Sequence, residues 1–186
     1  MSSTAIPRET QAAHWAPIEM TLEAVVIPVS DADRAKRFYG SLGWRLDLDF
    51  QADDGYRVIQ FTPPGSGCSV IFGTNVTAAV PGSAQGLHLI VSDIQATRDE
   101  LIRRGIQISE PFHDDGGVFH HADSKCRVSG VNPLRQSYAS YASFSDPDGN
   151  GWLLQEVTAR LSANLKPGDT RFTTQVLKAI FGASPK

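Results

Sequence analysis

An internal repeat is the feature that most limits the fold. Asp31 and Asp93 are separated by 62 residues (93 − 31), and Gly43 and Gly105 are separated by the same interval (105 − 43). Each aspartate follows a serine at the end of an apolar run, where its side chain can cap a helix, and each glycine stands where that helix would end. Two helix starts and two helix ends in one register predict two copies of a single structural unit.

Each unit is predicted to be a βαβββ module, because a strand and a capped amphipathic helix precede short strands divided by glycine and proline turns. The strands are expected at residues 22–29, 44–50, 56–62, 68–72, 87–91 and 139–144 and from Trp152 onward, and the helices at residues 32–42 and 94–104. The predicted fold class is therefore α+β, with tandem modules at residues 20–76 and 84–158.

The remaining segments are additions to this domain, which spans residues 20–158. Residues 1–19 show no sustained periodicity of apolar residues and are expected to form a flexible arm. Residues 111–138 form a long loop in the second module, and loops of this length are usually lids, binding loops or disordered segments. Residues 159–186 are a C-terminal extension in which a short amphipathic helix is expected.

Composition argues against several classes of partner. The formal net charge of -3 gives no reason to expect nucleic acid or an anionic membrane, and no apolar run approaches the roughly 20 residues that span a bilayer. Cys68 and Cys126 lie far apart without metal-ligand spacing, which fits a reducing cytoplasm, and the N-terminus has no secretory signal pattern. We therefore expect a cytoplasmic protein whose partner is a small molecule.

Two segments resemble a known superfamily. One runs from Val29 through Phe38-Tyr39 to Trp44, and the other is the turn Asp146-Pro147-Asp148-Gly149-Asn150 that leads into the Trp152 strand. They are similar to the vicinal-oxygen-chelate superfamily, which includes glyoxalase I, bleomycin-resistance proteins and extradiol dioxygenases. The resemblance implies a curved, eight-stranded half-barrel around a small-molecule cavity. Relatives pair their modules within one chain or across a dimer, and dimerisation is common among them, so the resemblance leaves both pairings open and allows a homodimer.

The resemblance also indicates where a metal would be bound. Metal-dependent members take one ligand from the first strand and one from the last strand of each module. The corresponding residues here are Ala24, Gly86 and Leu153, and Val70 matches Leu153 when Pro64 is aligned with Pro147. These residues offer no nitrogen, oxygen or thiolate donor from a side chain. We therefore predict no metal at the family position and no cofactor.

Strand alternation predicts which other side chains share that wall of the cavity. The predicted ligand-binding residues on the strands are Val26, Phe72, His88, Ile90 and Gln155. The wall is expected to be mostly apolar, with His88 and Gln155 as its polar members. His88 is the candidate catalytic residue because a histidine can transfer a proton near neutral pH, although a structural role in the core is an equal alternative. Glu156 follows Gln155 on the same strand, so its side chain is expected on the opposite, outer face beside a surface charge.

The long loop contributes His120 and His121 as further candidate ligand-binding residues. Together with His113 and one of Asp114, Asp115 or Asp123, these histidines could form a metal site outside the family pattern, although solvated loop residues are the simpler interpretation.

Three hypotheses for function follow from the sequence. The first is a protein that binds a small, largely apolar molecule without the family metal site. The alternative is a glyoxalase-like lyase or isomerase, or a dioxygenase-type enzyme, that uses His88 or an unconventional metal site. A structural or partner-binding module is the third hypothesis, and it draws only on the C-terminal helix.

Overall fold

The computed structural model describes residues 18–115, 118–121, 125–162 and 164–182. The predicted arm at residues 1–19 therefore lies almost entirely outside the described residues. In chain order the elements are β1 (Ala24–Val26), α1 (Ala32–Ser41), β2 (Arg45–Gln51), β3 (Arg57–Thr62), β4 (Ser69–Thr74), β5 (Leu87–Val91), α2 (Ile94–Arg103), β6 (Phe112–Asp114), β7 (Arg127–Ser129), β8 (Ser140–Ser145), β9 (Gly151–Glu156) and α3 (Thr174–Phe181).

The repeated helix signals act as predicted. The Asp31 carboxylate accepts a hydrogen bond from the Arg34 backbone N–H at the start of α1, and Asp93 caps α2 in the same way. Gly43 and Gly105, just beyond the helices, have φ values of 77° and 82°, which only glycine adopts without strain. The conformation at both ends of each helix is therefore set locally, which explains why the repeat is visible in the sequence.

The strands form two mixed sheets, one from each module. Their strand orders are β1-β4-β3-β2 and β5-β9-β8-β6-β7. In each sheet the first strand lies parallel to the last strand, with Val25 opposite Val70 and Leu87 opposite Trp152. The α+β class with two βαβββ-like modules is confirmed. Among the described residues, strand pairing stays within each sheet, so β1 and β5 remain edge strands.

One continuous core joins the modules. Its buried residues come from α1, α2 and one face of each sheet. Tyr39 lies at its centre, with its ring centroid 5.3 Å from that of Trp44, 5.1 Å from that of Phe72 and 6.1 Å from that of Trp152. Because both sheets bury their helix-side faces in this core, their opposite faces are turned away from it. We call these opposite faces the open faces.

The Asp-Pro-Asp-Gly turn fastens one module to the other. The Asp146 carboxylate accepts hydrogen bonds from the backbone N–H groups of Asp148 and Asn150, both at 2.9 Å, and from the Tyr39 hydroxyl at 2.9 Å. The Asn150 amide donates to the Pro28 carbonyl at 2.9 Å. Asp146 and Asn150 are buried, so these bonds satisfy polar groups that water cannot reach.

The long loop and the C-terminal extension pack against each other. Part of the predicted loop at 111–138 is a hairpin, because β6 pairs with β7 as well as with β8. Phe172, immediately before α3, is buried and stacks on Tyr138 with a centroid distance of 6.3 Å. The predicted C-terminal helix is confirmed as α3. None of the helices in the described part of the chain is long and apolar enough to cross a membrane.

Candidate functional site

The open face of the second sheet carries a cavity of about 670 Å³. Phe112 on β6 and Leu153 on β9 line this cavity, and they form a small buried cluster with Tyr141 on β8. These strands lie side by side, and their alternate residues project to the open face while Trp152 and Leu154 enter the core. The volume is in the range of small-molecule sites.

Aromatic rings line this face. Phe112 and Tyr141 are stacked with ring centroids 5.5 Å apart, and the imidazole of His120 lies edge-on to Tyr141 at 5.3 Å. The His88 ring stacks on that of His120 at 6.0 Å. The Arg127 guanidinium carbon lies 3.5 Å from the centroid of Phe112, in cation–π geometry. Phe112 and Tyr141 are buried, and the rings of His120 and His88 extend the cluster outward.

Hydrogen bonds connect His88 through Gln155 to Tyr141 of the buried cluster. His88 Nδ1 lies 3.4 Å from Gln155 Oε1, a long contact, and the Gln155 amide donates to the Tyr141 hydroxyl at 3.3 Å. The Tyr141 hydroxyl donates in turn to the Tyr138 carbonyl at 2.5 Å. Burial raises the pKa of Tyr141 to about 12, so its hydroxyl is protonated at neutral pH. His88 itself is exposed.

A second group of polar side chains lies at the rim of the cavity, on and beside the β6–β7 hairpin. The side chain of Asp114 is only 3% exposed, and its Oδ2 accepts a hydrogen bond from the His121 backbone N–H at 2.9 Å. The same oxygen lies 2.7 Å from His121 Nδ1. One donor atom each from Asp114, His121 and Cys126 lie within 4.8 Å of one another.

The structure brings together four of the predicted site residues. His88, Gln155 and His120 meet at the aromatic cluster, and His121 lies beside the cavity. Ile90, which is 42% exposed, shares the open face of the second sheet. His113 points elsewhere, with Nδ1 2.9 Å from the Gly130 carbonyl oxygen.

Phe72 is not on the open face. It is fully buried in the core against Tyr39 and Phe61, so its predicted place in the cavity wall is corrected. The register explains the error: Val70 corresponds to Trp152 and Ile71 to Leu153, one residue away from the alignment on the two prolines. A shift of one residue moves a strand side chain to the opposite face.

The corrected register leaves the conclusion about the family metal unchanged. The positions that correspond to family ligands are Ala24, Ile71, Gly86 and Leu153, and a divalent cation needs side-chain donors that these residues lack. The residues present do not fit the family metal site.

The open face of the first sheet lies apart from this cavity. Val26 is 44% exposed and Phe50 is 52% exposed, and both belong to this face. Beside them, the Thr62 hydroxyl bonds to Asp47 and lies 2.7 Å from the Ser69 hydroxyl. Val26 is therefore separated from His88 and Gln155 within a single chain.

Glu156 is also placed differently from the prediction. It is fully buried at the start of α2, where it accepts a hydrogen bond from the Ile94 backbone N–H at 3.2 Å. Arg135 forms an ion pair with it, and its Nε lies 3.0 Å from Glu156 Oε2. The predicted charged partner exists, but it comes from the long loop and covers a buried carboxylate.

Phe112, Arg127 and Tyr141 were not predicted from the sequence, and Asp114 was considered only as one of three loop aspartates for a metal site. Asp114, His120, His121 and Arg127 line the cavity, so its wall is more polar than expected. Strand alternation along Phe112–Asp114 would have indicated two of these residues if the segment had been recognised as a strand.

Comparisons with known proteins agree with this fold. The model of the "Glyoxalase/Bleomycin resistance protein/Dioxygenase superfamily" matches residues 21–154, which is more than half of the chain. No curated protein matches.

Among solved structures, TnmS3 from Streptomyces sp. CB03234, described as an antibiotic binding protein, is 27% identical, with a TM-score of 0.55 over 76% of this chain and 99% of its own. A glyoxalase/bleomycin resistance protein from the same organism is 28% identical, with a TM-score of 0.51 over 73% and 100% of the two chains. A superfamily member from Sphaerobacter thermophilus DSM 20745 is also 28% identical, with a TM-score of 0.54 over 74% and 98%.

Proposed function

This chain belongs to the glyoxalase/bleomycin resistance protein/dioxygenase superfamily, and we propose that it binds a small molecule with a planar aromatic ring system in the cavity of the second module. The observation that carries the proposal is the ring cluster of Phe112, His120, Tyr141 and His88 on a face without donors at the family metal positions. Stacked and edge-on rings favour flat aromatic partners. A similar structure described as an antibiotic binding protein supports an antibiotic-like ligand.

Polar groups at the cavity would orient the ligand. The His120 ring and the Arg127 guanidinium line it, and Gln155 and the Tyr141 hydroxyl lie behind His120 in the ring cluster. A few placed donors within an aromatic wall are the usual means by which such sites gain specificity. The Arg127 charge favours a ligand that carries a carbonyl, phenolate or carboxylate oxygen beside its rings.

We infer that a second copy of the chain completes the site. Each copy has an open edge strand in both sheets and an exposed apolar face on the first sheet, with Val26 and Phe50 at 44% and 52% exposure. If the first sheet of one copy covers the second sheet of its partner, Val26 and Ile90 become cavity residues, as the sequence predicted. The buried rings would then be closed off from water on both sides.

Ligand binding can be tested with chelator-treated, full-length protein and a panel of antibiotics divided by the presence of a planar aromatic system. We expect aromatic members to raise the melting temperature and to give saturable heats in titration calorimetry. Phe112→Ala should raise Kd about tenfold, because losing an aromatic contact and the area that it buries costs roughly 1.4 kcal/mol of binding free energy. Phe181→Ala, which removes a half-exposed ring from α3, is the matched control and should bind normally. Equal affinity in the Phe112 variant would contradict the proposed site.

Assembly requires a separate measurement. Light scattering after gel filtration should give twice the chain mass for the parent protein, and Phe50→Glu should produce monomers that bind the ligand weakly. Ile180→Glu alters a comparably exposed apolar residue on α3 and should leave the dimer intact. A monomeric parent protein that binds the ligand with full affinity would refute the role of a second copy.

The hydrogen-bonded series His88–Gln155–Tyr141 favours one alternative, a lyase or isomerase in which His88 transfers a proton. Product analysis of ligands that pass the binding screen separates the two functions. Turnover that His88→Ala abolishes while Kd changes little would establish the enzyme, whereas unchanged ligand recovered after long incubation supports binding alone.

A further inference from the structure

We propose that Asp114, His121 and Cys126 form a site for a zinc-type divalent ion at the rim of the cavity. This site is distinct from the family metal position, whose residues lack donors. Carboxylate, imidazole and thiolate are all zinc ligands, and the three candidate donor atoms already lie within 4.8 Å of one another. In a tetrahedral zinc site, ligand atoms lie about 3.5 Å apart, so modest side-chain rotations would close the site.

The hairpin fixes two of the three residues relative to each other. Asp114 pairs with Arg127 across the β6–β7 ladder, and the Asp115 backbone N–H donates to the Cys126 carbonyl at 2.9 Å. In a regular strand Cys126 would project to the face opposite Asp114. Its φ of 63° interrupts that alternation, and the thiol lies near Asp114.

The third residue is oriented by a hydrogen bond of its own. His121 Nδ1 lies 2.7 Å from the buried Asp114 carboxylate, whose side chain is 3% exposed. When a carboxylate fixes one ring nitrogen of a histidine, the other nitrogen is held in position for a metal. Asp114 can therefore act as the third ligand, or it can orient the imidazole while His121 and Cys126 bind the ion.

The position of this site relates it to the cavity. Asp114 and His121 both line the same cavity as Phe112 and Leu153. Three protein ligands on zinc leave one position, and His121 and Cys126 alone leave two, for water or another donor. The ion would thus offer a coordination position to an oxygen or nitrogen atom of a molecule stacked on the rings. A ligand that combines an aromatic system with a metal-binding oxygen fits both parts of the cavity.

Cobalt(II) substitution tests the proposal directly. Reduced, chelator-treated full-length protein is titrated with Co²⁺ and then with Zn²⁺, while visible absorption and heat are recorded. We expect one ion per chain, a thiolate-to-cobalt charge-transfer band, and displacement of cobalt by zinc. Cys126→Ser should abolish the band and weaken Zn²⁺ binding at least tenfold, whereas Cys68→Ser, the matched control at the other cysteine, should change neither.

The histidine is tested with a second matched pair. His121→Ala should weaken Zn²⁺ binding at least tenfold, and His113→Ala, whose ring contacts Gly130 instead, should not. Melting temperatures verify that each variant is folded. Zinc affinity that is unchanged in Cys126→Ser and His121→Ala, or a parent protein without stoichiometric zinc, would overturn the proposal. Because the aromatic-ligand screen uses chelator-treated protein, this failure would leave the proposed binding function standing.

Discussion

The hydroxyl group of Tyr39 offers the sharpest test of how the two modules are joined. This group donates a 2.9 Å hydrogen bond to the buried Asp146 carboxylate and accepts a 3.3 Å bond from the Trp152 indole N–H. Tyr39→Phe removes one oxygen atom and leaves the ring in place between Trp44 and Phe72. Burial, followed by the nearby Asp146 charge, raises the pKa of Tyr39 above its ordinary value, so the hydroxyl remains a donor throughout the physiological range.

The size of the effect can be worked out from these two bonds. A hydrogen bond to a charged group contributes about 1.5–3 kcal/mol, and a buried N–H left without a partner costs about 1–3 kcal/mol. Because Asn150 also bonds to Asp146, part of the carboxylate remains satisfied, and we expect a loss of about 2–4 kcal/mol. At about 2–4 °C per kcal/mol for a chain of this size, the melting temperature should fall by roughly 8 °C.

Urea unfolding followed by circular dichroism measures the free energy of unfolding. Tyr138→Phe is the matched control, because its hydroxyl accepts a longer bond of 3.4 Å from the Leu161 backbone N–H and should contribute less than about 1 kcal/mol. A double-mutant cycle with Asp146→Asn isolates the direct coupling. If Tyr39→Phe were no more destabilising than Tyr138→Phe, the Tyr39–Asp146 bond would not contribute to joining the modules.

Three further predictions follow from other contacts. Arg135→Ala should lower the free energy of unfolding by about 3 kcal/mol in urea titrations, because it leaves the fully buried Glu156 carboxylate unpaired, and adding Glu156→Gln should recover part of that loss. Burial raises the pKa of Tyr141 from 10.0 to about 12, so its contribution to the free energy of unfolding is complete below pH 10 and is lost as the pH rises toward 12. Tyr141→Phe should therefore make the free energy of unfolding less dependent on pH in that window. Gly82→Ala should destabilise the protein more than Gly55→Ala in thermal melts: both have positive φ, but a Cβ at Gly82 would lie 2.1 Å from a backbone oxygen, and one at Gly55 meets no atom within 4 Å.

The elements of the fold were predictable because the signals that define them are local. The caps at Asp31 and Asp93 and the glycines after α1 and α2 determine where each helix begins and ends without help from the rest of the chain. Their equal spacing is therefore visible in the sequence as a repeat. The Asp-Pro-Asp-Gly turn was visible for the same reason, but its role in joining the modules through Tyr39 was not.

The cavity was only partly predictable because strand faces depend on register. Aligning the two modules on a proline shifted β4 by one residue and placed Phe72 on the wrong face. His88, Gln155 and Ile90 were assigned correctly to the open face because β5 and β9 were read in their true register. Phe112 was missed because β6 is three residues long and lies within a segment that resembled a loop.

The sequence by itself determined the two modules, the superfamily and the lack of donors at the family metal positions, since each rests on residue identity and short-range spacing. Only the tertiary structure showed that the modules share one core and turn both open faces outward, and that the long loop brings His120 onto the rings and His121 beside Asp114 and Cys126. These are contacts between residues far apart in the chain, created by sheet register and by the path of the loop. No local preference encodes them, so they become visible only when the strands are paired.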